Sequence, residues 1–257
     1  PPSFGTAAIS RVLEAEGLRV AVLAQPDWHD AEAFRAMGRP RLGVFIGAGN
    51  LDSMVAHYTA AKRRRSEDFY SPGKRTGCRP DRAAIVYCNR AREAFGPDVP
   101  IILGSLEASL RRFAHYDYWD DSVRRAILFD APADLLVYGM GEAATIEIAH
   151  RLKKKQSVHT MTDIPGTGYI TRDPSVCKFD HITLPSFEDV RDDKRLYAEA
   201  TRTEYAEHDP IRGRAMIQPC EGRYLVINPP AMPLDTKELD RVADLPYTRE
   251  WHPMYEP

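Results

Sequence analysis

The fold is decided by one short stretch of sequence, Asp134-Leu135-Leu136-Val137-Tyr138-Gly139-Met140-Gly141-Glu142. Its consecutive apolar residues at 135–138 are typical of a strand that is buried on both faces of a sheet. The glycines that follow predict a tight turn. Residues 142–152 then predict a helix, which closes in three lysines that suit the negative end of the helix dipole. The stretch therefore predicts a strand–turn–helix unit.

The same unit recurs upstream of this stretch. Apolar runs at 42–46 and 99–103 predict two further strands, and 52–64 and 81–95 predict the helices between them, the second capped by Asp81. Strands that alternate with helices are typical of a mainly parallel sheet covered on both faces. The predicted fold class is therefore α/β, a Rossmann- or flavodoxin-like parallel sheet.

The first segments of the chain predict part of one more unit. Residues 6–16 carry a helical apolar stripe, and 18–24 predict a short buried strand. Because a helix that leads into a buried strand is the second half of a β-α-β unit, we expect the first strand of the sheet to be missing from this chain. Residues 122–129 predict a further short helix.

A different pattern begins after residue 155. A strand is predicted at 166–171, a long polar helix at 186–207 and a short helix at 235–242. Two apolar runs, 215–218 and 224–227, flank Glu221-Gly222 and predict a hairpin. We therefore predict a flavodoxin-like domain over 1–155 and an α+β extension over 156–257 that links to a further domain.

The composition excludes several classes of function. The 257 residues are 43% apolar, too apolar for a disordered chain, and the net charge of −2 is too small for nucleic-acid binding through bulk charge. No apolar run approaches the roughly 18 residues of a membrane span, so a membrane is not expected as a partner. The cysteines are scattered, with no C-x-x-C spacing, which predicts reduced structural thiols in a cytoplasmic protein.

Three glycine-bearing turns fall where predicted strands end, the position at which open α/β sheets bind ligands. They are Gly47-Ala48-Gly49-Asn50, Gly104-Ser105-Leu106-Glu107 and Gly139-Met140-Gly141-Glu142. Glycine lets backbone N–H groups approach a ligand, and the helix start that follows favours anions. The dinucleotide fingerprint G-x-G-x-x-G fails, because Asp52 and Ala144 stand where its last glycine would be. The alternative is that these glycines only close strand-to-helix turns.

The stretch 107–120 is the densest in polar and aromatic side chains. His115 and Asp117 are candidates for acid–base chemistry, and Arg111 and Arg112 are candidates for holding a phosphate or a carboxylate. In the alternative interpretation, the aromatic side chains pack a loop onto the sheet and the charged groups pair among themselves.

Other charged residues indicate little chemistry. Arg63, Arg64 and Arg65 lie at the end of a predicted helix beside acidic neighbours, which favours a solvated helix end over a nucleic-acid site. The histidines are dispersed, with no H-E-x-x-H and no Cys/His cluster, so no metal site is predicted.

Many separate blocks of this chain resemble the N-terminal region of the YgiQ family of radical SAM proteins. The two longest are 107–119 and 134–142, and they resemble the family almost residue for residue. Shorter blocks that resemble it are Pro2-Ser3-Phe4-Gly5-Thr6-Ala7, 11–17, Ala24-Gln25-Pro26-Asp27-Trp28, 48–55, His57-Tyr58-Thr59-Ala60, Arg79-Pro80-Asp81-Arg82, Asn228-Pro229-Pro230 and 245–249 with His252-Pro253. The resemblance covers essentially the whole chain.

The resemblance implies a parent protein that continues into a radical SAM barrel, in which a C-x-x-x-C-x-x-C motif holds a [4Fe–4S] cluster that cleaves S-adenosylmethionine. The four cysteines of this chain do not form that motif, so the chain alone is expected to be inactive. The chain is also similar to the cobalamin-binding-type domains that precede many such barrels. Residues 134–142 match their D-x-x-V-x-G-x-G-E turn, while no D-x-H-x-x-G motif for a cobalt ligand is present.

Three functions remain open at this point. The leading hypothesis is an accessory domain that caps its own C-terminal radical SAM barrel and helps bind substrate or cofactor. The second is a stand-alone small-ligand or cobalamin-binding module without catalysis, and the third is an RNA-binding domain for tRNA modification that uses the three consecutive arginines. The expected cleft residues are Gly49, Asn50, Gly104, Glu107, Arg111, Arg112, His115, Tyr116, Asp117, Gly139, Gly141 and Glu142.

Overall fold

The computed structural model describes residues 4–255, and its centre is a seven-stranded sheet with the strand order β1-β2-β5-β6-β9-β8-β7. A separate two-stranded sheet pairs β3 with β4. The strands are β1 (Val44–Ile46), β2 (Ile101–Leu103), β3 (His115–Asp117), β4 (Ser122–Arg124), β5 (Leu135–Val137), β6 (Thr167–Thr171), β7 (His181–Thr183), β8 (Ala215–Cys220) and β9 (Arg223–Ile227).

Ten α-helices connect or cover these strands over the described residues. They are α1 (Phe4–Ala15), α2 (Glu32–Arg35), α3 (Ser53–His57), α4 (Ala83–Phe95), α5 (Ser105–Leu110), α6 (Ile127–Asp130), α7 (Glu142–Lys153), α8 (Phe187–Asp192), α9 (Lys194–Ala206) and α10 (Thr236–Ala243). Helix α4 packs beside β1 and β2, and α1 packs on α7.

The central sheet has a parallel part and a largely antiparallel part. Strands β1, β2 and β5 run parallel to one another. Strand β6 then pairs antiparallel with both β5 and β9, β8 pairs antiparallel with β9, and β7 runs parallel to β8 at the far edge. The predicted α/β class is confirmed, and the architecture is consistent with a Rossmann- or flavodoxin-like sheet.

Alternate residues of the buried strands feed two hydrophobic cores, one on each face of the sheet. Ile101 and Leu103 point toward α4, whereas Ile102 joins the core on the other face, together with Ile148 and Leu152 of α7. This alternation follows from the two-residue period of a strand. Each fully buried Leu or Ile contributes roughly 1.5–3 kcal/mol, so the two cores supply most of the stabilisation.

Most predicted elements are confirmed, with small shifts of their ends. The helix at 6–16, the strands at 42–46, 99–103, 135–138 and 166–171, and the helices at 142–152 and 235–242 all form. The predicted hairpin forms between β8 and β9, with Glu221 and Gly222 both at positive φ (50° and 71°), as a tight two-residue hairpin requires. The seven-stranded sheet runs without a break across residue 155, because β6 pairs directly with β5.

The strand predicted at 18–24 is wrong. This segment is irregular, and Val22 and Leu23 are exposed. A short apolar run is ambiguous because its pattern says nothing about whether a sheet edge is available to pair with it. The expectation of a missing first strand rested on this segment, so it loses its support.

The helix predicted at 52–64 is much shorter than expected, since α3 ends at His57. Tyr58 is extended and forms an isolated antiparallel bridge with Arg64. The side chains of His57 and Tyr58 both bond to Asp81, which draws the chain out of the helix. The three consecutive arginines therefore lie in a loop, whereas the sequence pattern predicted that they lie at a helix end.

Two further helices differ from their predictions. Residues 122–129 divide into β4 and α6, and the long helix at 186–207 divides into α8 and α9. The break lies at Asp193, whose backbone is extended and whose side chain accepts a hydrogen bond from the Arg195 N–H. Because Asp is a strong N-cap, it starts a new helix here instead of continuing the old one.

Candidate functional site

The structure brings the three glycine-bearing turns to one edge of the sheet. Strands β1, β2 and β5 are parallel, so their carboxyl ends meet at this edge, called here the carboxyl edge. The first two turns touch each other: the Ser105 hydroxyl accepts a hydrogen bond from the Ala48 N–H at 3.1 Å. A Cβ atom on Gly47 would lie 3.0 Å from the Ser105 side chain, so only glycine fits there without a shift.

Glu107 is fully buried beneath this edge, with no exposed surface. One carboxylate oxygen accepts hydrogen bonds from the N–H (2.9 Å) and hydroxyl (2.7 Å) of Ser53, and the other accepts from the Ala84 N–H at 3.0 Å. The Ser53 hydroxyl also accepts from the Ala83 N–H. Glu107 therefore links the first turns of α3 and α4 and does not reach the solvent side of the cleft.

The start of helix α4 is therefore stabilised by tertiary contacts. The prediction that Asp81 caps this helix is wrong. Its N-cap residue is Arg82, in a left-handed conformation without a side-chain cap. The first N–H groups of a helix need acceptors, and here Ser53 and Glu107 provide them from distant parts of the chain. Asp81 bonds to two side chains of the 53–58 segment instead.

Arg111 and Asp52 form an ion pair at the same edge. The Asp52 carboxylate accepts the bond from Arg111 through one oxygen and caps α3 through the other, which accepts from the Met54 N–H at 2.9 Å. Asp52, which interrupts the dinucleotide fingerprint, thus has a structural role of its own. Arg111 is tied to this carboxylate, so its charge is largely balanced.

Arg112 has different surroundings. Its guanidinium carbon lies 5.0 Å from the centre of the Tyr138 ring, and one terminal nitrogen contacts Nε2 of His208. Burial lowers the pKa of Arg112 and of His208, and burial raises the pKa of the nearby Glu204 to about 7. The sequence pattern missed Glu204 and His208, which come from a helix end almost a hundred residues away.

His115, Tyr116 and Asp117 lie together on β3, in the small two-stranded sheet. Asp117 is buried and accepts a hydrogen bond from Arg82 at 2.8 Å, which lowers its pKa. The His115 ring instead contacts the Phe113 carbonyl, and burial lowers the pKa of His115. The two side chains are therefore not hydrogen-bonded to each other as an acid–base pair.

The remaining candidate residues border the carboxyl edge. Asn50 and Gly139 are exposed, whereas Gly49, Gly104, Gly141 and Glu142 are half-buried. Glu142 is the first residue of α7, and one of its carboxylate oxygens is buried with no hydrogen-bond partner among the described residues.

A histidine–aspartate pair that the sequence pattern did not indicate is His57 with Asp81. Nδ1 of His57 lies 2.7 Å from the Asp81 carboxylate, which also accepts a bond from the Tyr58 hydroxyl at 2.6 Å. These bonds lower the pKa of Asp81 and raise that of Tyr58. The blocks His57-Tyr58-Thr59-Ala60 and Arg79-Pro80-Asp81-Arg82, which resemble the family, contain the two members of the pair, but nothing in the sequence pattern joins them.

The described cysteines do not fit an iron–sulfur cluster. All four are free thiols, and within residues 4–255 no group of three or more His, Cys, Asp or Glu side chains could hold a metal ion. Burial raises the pKa of Cys88, and that of Cys220 to about 12, so both stay protonated, whereas cluster ligands are thiolates. No helix in the described part of the chain is long and apolar enough to cross a membrane.

Comparison with known proteins gives a family for this arrangement. A model described as radical SAM N-terminal matches residues 1–257. The chain belongs to this family. UPF0313 proteins of Clostridium botulinum (strain 657) and Clostridium perfringens (strain SM101) are both 54% identical to it, over 255 and 254 residues.

These relatives are much longer than the chain. The alignments cover 99% of this radical SAM N-terminal chain but 40% of the botulinum protein and 38% of the perfringens protein. No solved structure matches the chain. The resemblance to the YgiQ family is confirmed, and the family implies a radical SAM parent protein.

Proposed function

We propose that this chain is the accessory domain of a radical SAM enzyme, and that its carboxyl edge covers the catalytic barrel and helps to bind the substrate or a cofactor. Family membership supports the kind of parent enzyme. The length of the relatives supports a partner within the same polypeptide, because about 60% of each lies outside the matched region.

The observation that carries the proposal is a set of exposed apolar side chains at the carboxyl edge. Leu106 and Leu110 on α5 are 42% and 60% exposed, Met140 in the β5 turn is 42% exposed, and Val55 on α3 is 49% exposed. Neighbouring exposed apolar residues mark interaction surfaces. Since α3 and α5 are joined through Glu107, these residues lie on connected segments.

Polar groups border this apolar surface. Arg112 lies two residues after Leu110 and contacts the ring of Tyr138, which lies two residues before Met140. A surface that combines apolar contact area with a guanidinium is suited to cover a barrel while it presents a charge to a bound molecule. This arrangement supports a role in binding as well as covering.

The test is the double variant Leu106→Asp/Leu110→Asp in the full-length protein with its cluster reconstituted. Two carboxylates would have to be desolvated against the barrel, so we expect formation of 5′-deoxyadenosine from S-adenosylmethionine to fall at least about tenfold. Hydrogen exchange of segment 104–110 should become faster in the variant.

The matched control is Met37→Asp. Met37 is 61% exposed and follows α2 near the end of α4, at the opposite edge of the sheet. It should leave both the activity and the exchange of 104–110 unchanged. Full activity of the double variant would contradict the covering role.

A titration with cobalamins separates this proposal from a stand-alone binding module. Saturable changes in visible absorption, with an activity that does not depend on Leu106 and Leu110, would favour the module. Loss of activity in the double variant without cobalamin binding would favour the accessory domain.

A further inference from the structure

Arg79 is a buried arginine with unused hydrogen-bond donors. It is 5% exposed, and one terminal nitrogen donates to both oxygens of Asp68 at 3.0 Å. Its guanidinium carbon lies 5.7 Å from the centre of the Tyr70 ring. The Nε–H is buried and has no partner, and the second terminal nitrogen donates to no described residue.

Arg92 shows how a purely structural arginine differs. All three of its guanidinium nitrogens donate, to the carbonyls of Gly96, Pro97, Val99 and Pro132 and to the Asp134 carboxylate. A buried donor without an acceptor costs free energy, so such groups are normally paired. The buried, unpaired Nε–H of Arg79 therefore indicates a missing acceptor.

The free terminal nitrogen of Arg79 points toward the turn that follows β1. A Cβ atom built on Gly49 would lie 4.0 Å from it, and Gly49 has a positive φ of 98°. The backbone N–H groups of Gly49, Asn50 and Leu51 donate to no described residue. Consecutive free N–H groups in a turn with positive φ form concave anion sites.

We infer that Arg79 and the 49–51 turn bind an oxyanion, the phosphate or carboxylate group of a small molecule. The unused groups are almost all donors, and an oxyanion offers acceptors only. Asp68 holds the guanidinium in place, since its carboxylate is fixed by the Ser71 hydroxyl at 2.7 Å and the Tyr70 N–H at 2.9 Å. The inference deepens the proposed function, on which it rests for the identity of the natural ligand.

The experiment titrates the full-length protein with inorganic phosphate and, separately, with acetate, followed by calorimetry and, for phosphate, by the phosphorus NMR line width. We expect saturable binding, with the tighter anion indicating whether a phosphate or a carboxylate is the natural group. Arg79→Lys should weaken binding about tenfold or more, because lysine keeps the charge but loses the Nε–H and the fork of donors.

Arg92→Lys is the matched control, since it alters an ion-paired arginine at the opposite edge, and it should leave the affinity unchanged.

The inference fails if neither anion binds saturably to the parent protein, or if a folded Arg79→Lys variant binds as tightly as the parent protein. These outcomes are independent of Leu106 and Leu110. A failure here therefore leaves the covering role standing, and a failure of the covering role leaves this site standing.

Discussion

The two parts of the central sheet are built in different ways. Strands β1, β2 and β5 are parallel, three residues long and almost entirely apolar. Strands β6, β8 and β9 pair antiparallel along the β5-β6-β9-β8 run, and they are five or six residues long. Long antiparallel strands hold each other through a continuous ladder, whereas short parallel strands depend on the helices that cross between them.

This difference explains where polar residues are buried. In the parallel part, Glu107 on α5, which follows β2, accepts hydrogen bonds from the first turns of α3 and α4, two helices that both lie between β1 and β2. In the antiparallel part, Asn228 follows β9 and donates to the Ile164 carbonyl at 2.9 Å and the Thr167 hydroxyl at 3.0 Å, beside the start of β6. A buried carboxylate that joins three helices should therefore matter more for the parallel part than a buried amide beside a continuous strand ladder does for the antiparallel part.

The largest effect is expected for Glu107→Ala. The substitution leaves the N–H groups of Ser53 and Ala84 and the Ser53 hydroxyl without their acceptor in a fully buried place. We expect the free energy of unfolding to fall by about 3–5 kcal/mol, measured by urea denaturation.

Glu147→Ala is the control for this change. Glu147 is exposed on α7, and its ion pair with Arg151 should be worth less than about 1 kcal/mol. A loss below about 1 kcal/mol for Glu107→Ala would show that the parallel part does not depend on this link.

A smaller effect is expected for Asn228→Ala. Asn228 is fully buried, and its amide nitrogen also donates to the Thr162 carbonyl at 3.2 Å. The ladder around it remains paired, so we expect a loss of about 2 kcal/mol in the same assay. If this loss exceeded that of Glu107→Ala, the contrast between the two parts would be reversed.

The smallest effect is expected for Glu204→Gln, and it depends on pH. Burial raises the pKa of Glu204 from 4.5 to about 7, so between these values the unfolded chain has lost a proton that the folded chain keeps. Stability therefore falls as the pH rises through this window. The variant should equal the parent below pH 4.5 and exceed it by on the order of 1 kcal/mol at pH 8, because the group is half-exposed.

Glu199→Gln on the same helix provides the comparison, since Glu199 is exposed. Its denaturation midpoint should follow that of the parent protein at every pH. A gain for Glu204→Gln that was equal at pH 4 and pH 8 would contradict the assignment.

The pH dependence of two arginine-paired carboxylates has the opposite sign to that of Glu204. Asp68 and Asp117 both accept bonds from arginines, and their pKa values are lowered. Their contribution is present above their unfolded pKa near 4 and is lost as the pH falls through the folded pKa.

Much of the fold was predictable from local patterns. The apolar runs of β2 and β5, the turn glycines and the Glu221-Gly222 hairpin each have a residue pattern with one common structural solution. The predictions at 18–24 and 52–64 failed because a local apolar pattern does not show what distant parts of the chain supply. The run at 18–24 pairs with no strand among the described residues. In the segment 52–64, bonds from His57 and Tyr58 to Asp81 end the helix early.

The site was less predictable than the fold. The sequence places the three glycine turns at strand ends, and parallel pairing brings them to one edge. It does not show that Asp117 belongs to Arg82, that His57 faces Asp81, or that Arg79 is left with free donors beside Gly49. Each of these pairs joins residues more than twenty positions apart.

By itself, the sequence determined the α/β class, the family and the turns that form the carboxyl edge, because these follow from local periodicity and from residues with few conformational options. Tertiary structure alone decided that Glu107 is a buried link and that Arg79 has unused donors. The reason is physical: a charged side chain has the same local pattern whether it is paired, buried or free, and only the fold supplies or withholds its partner.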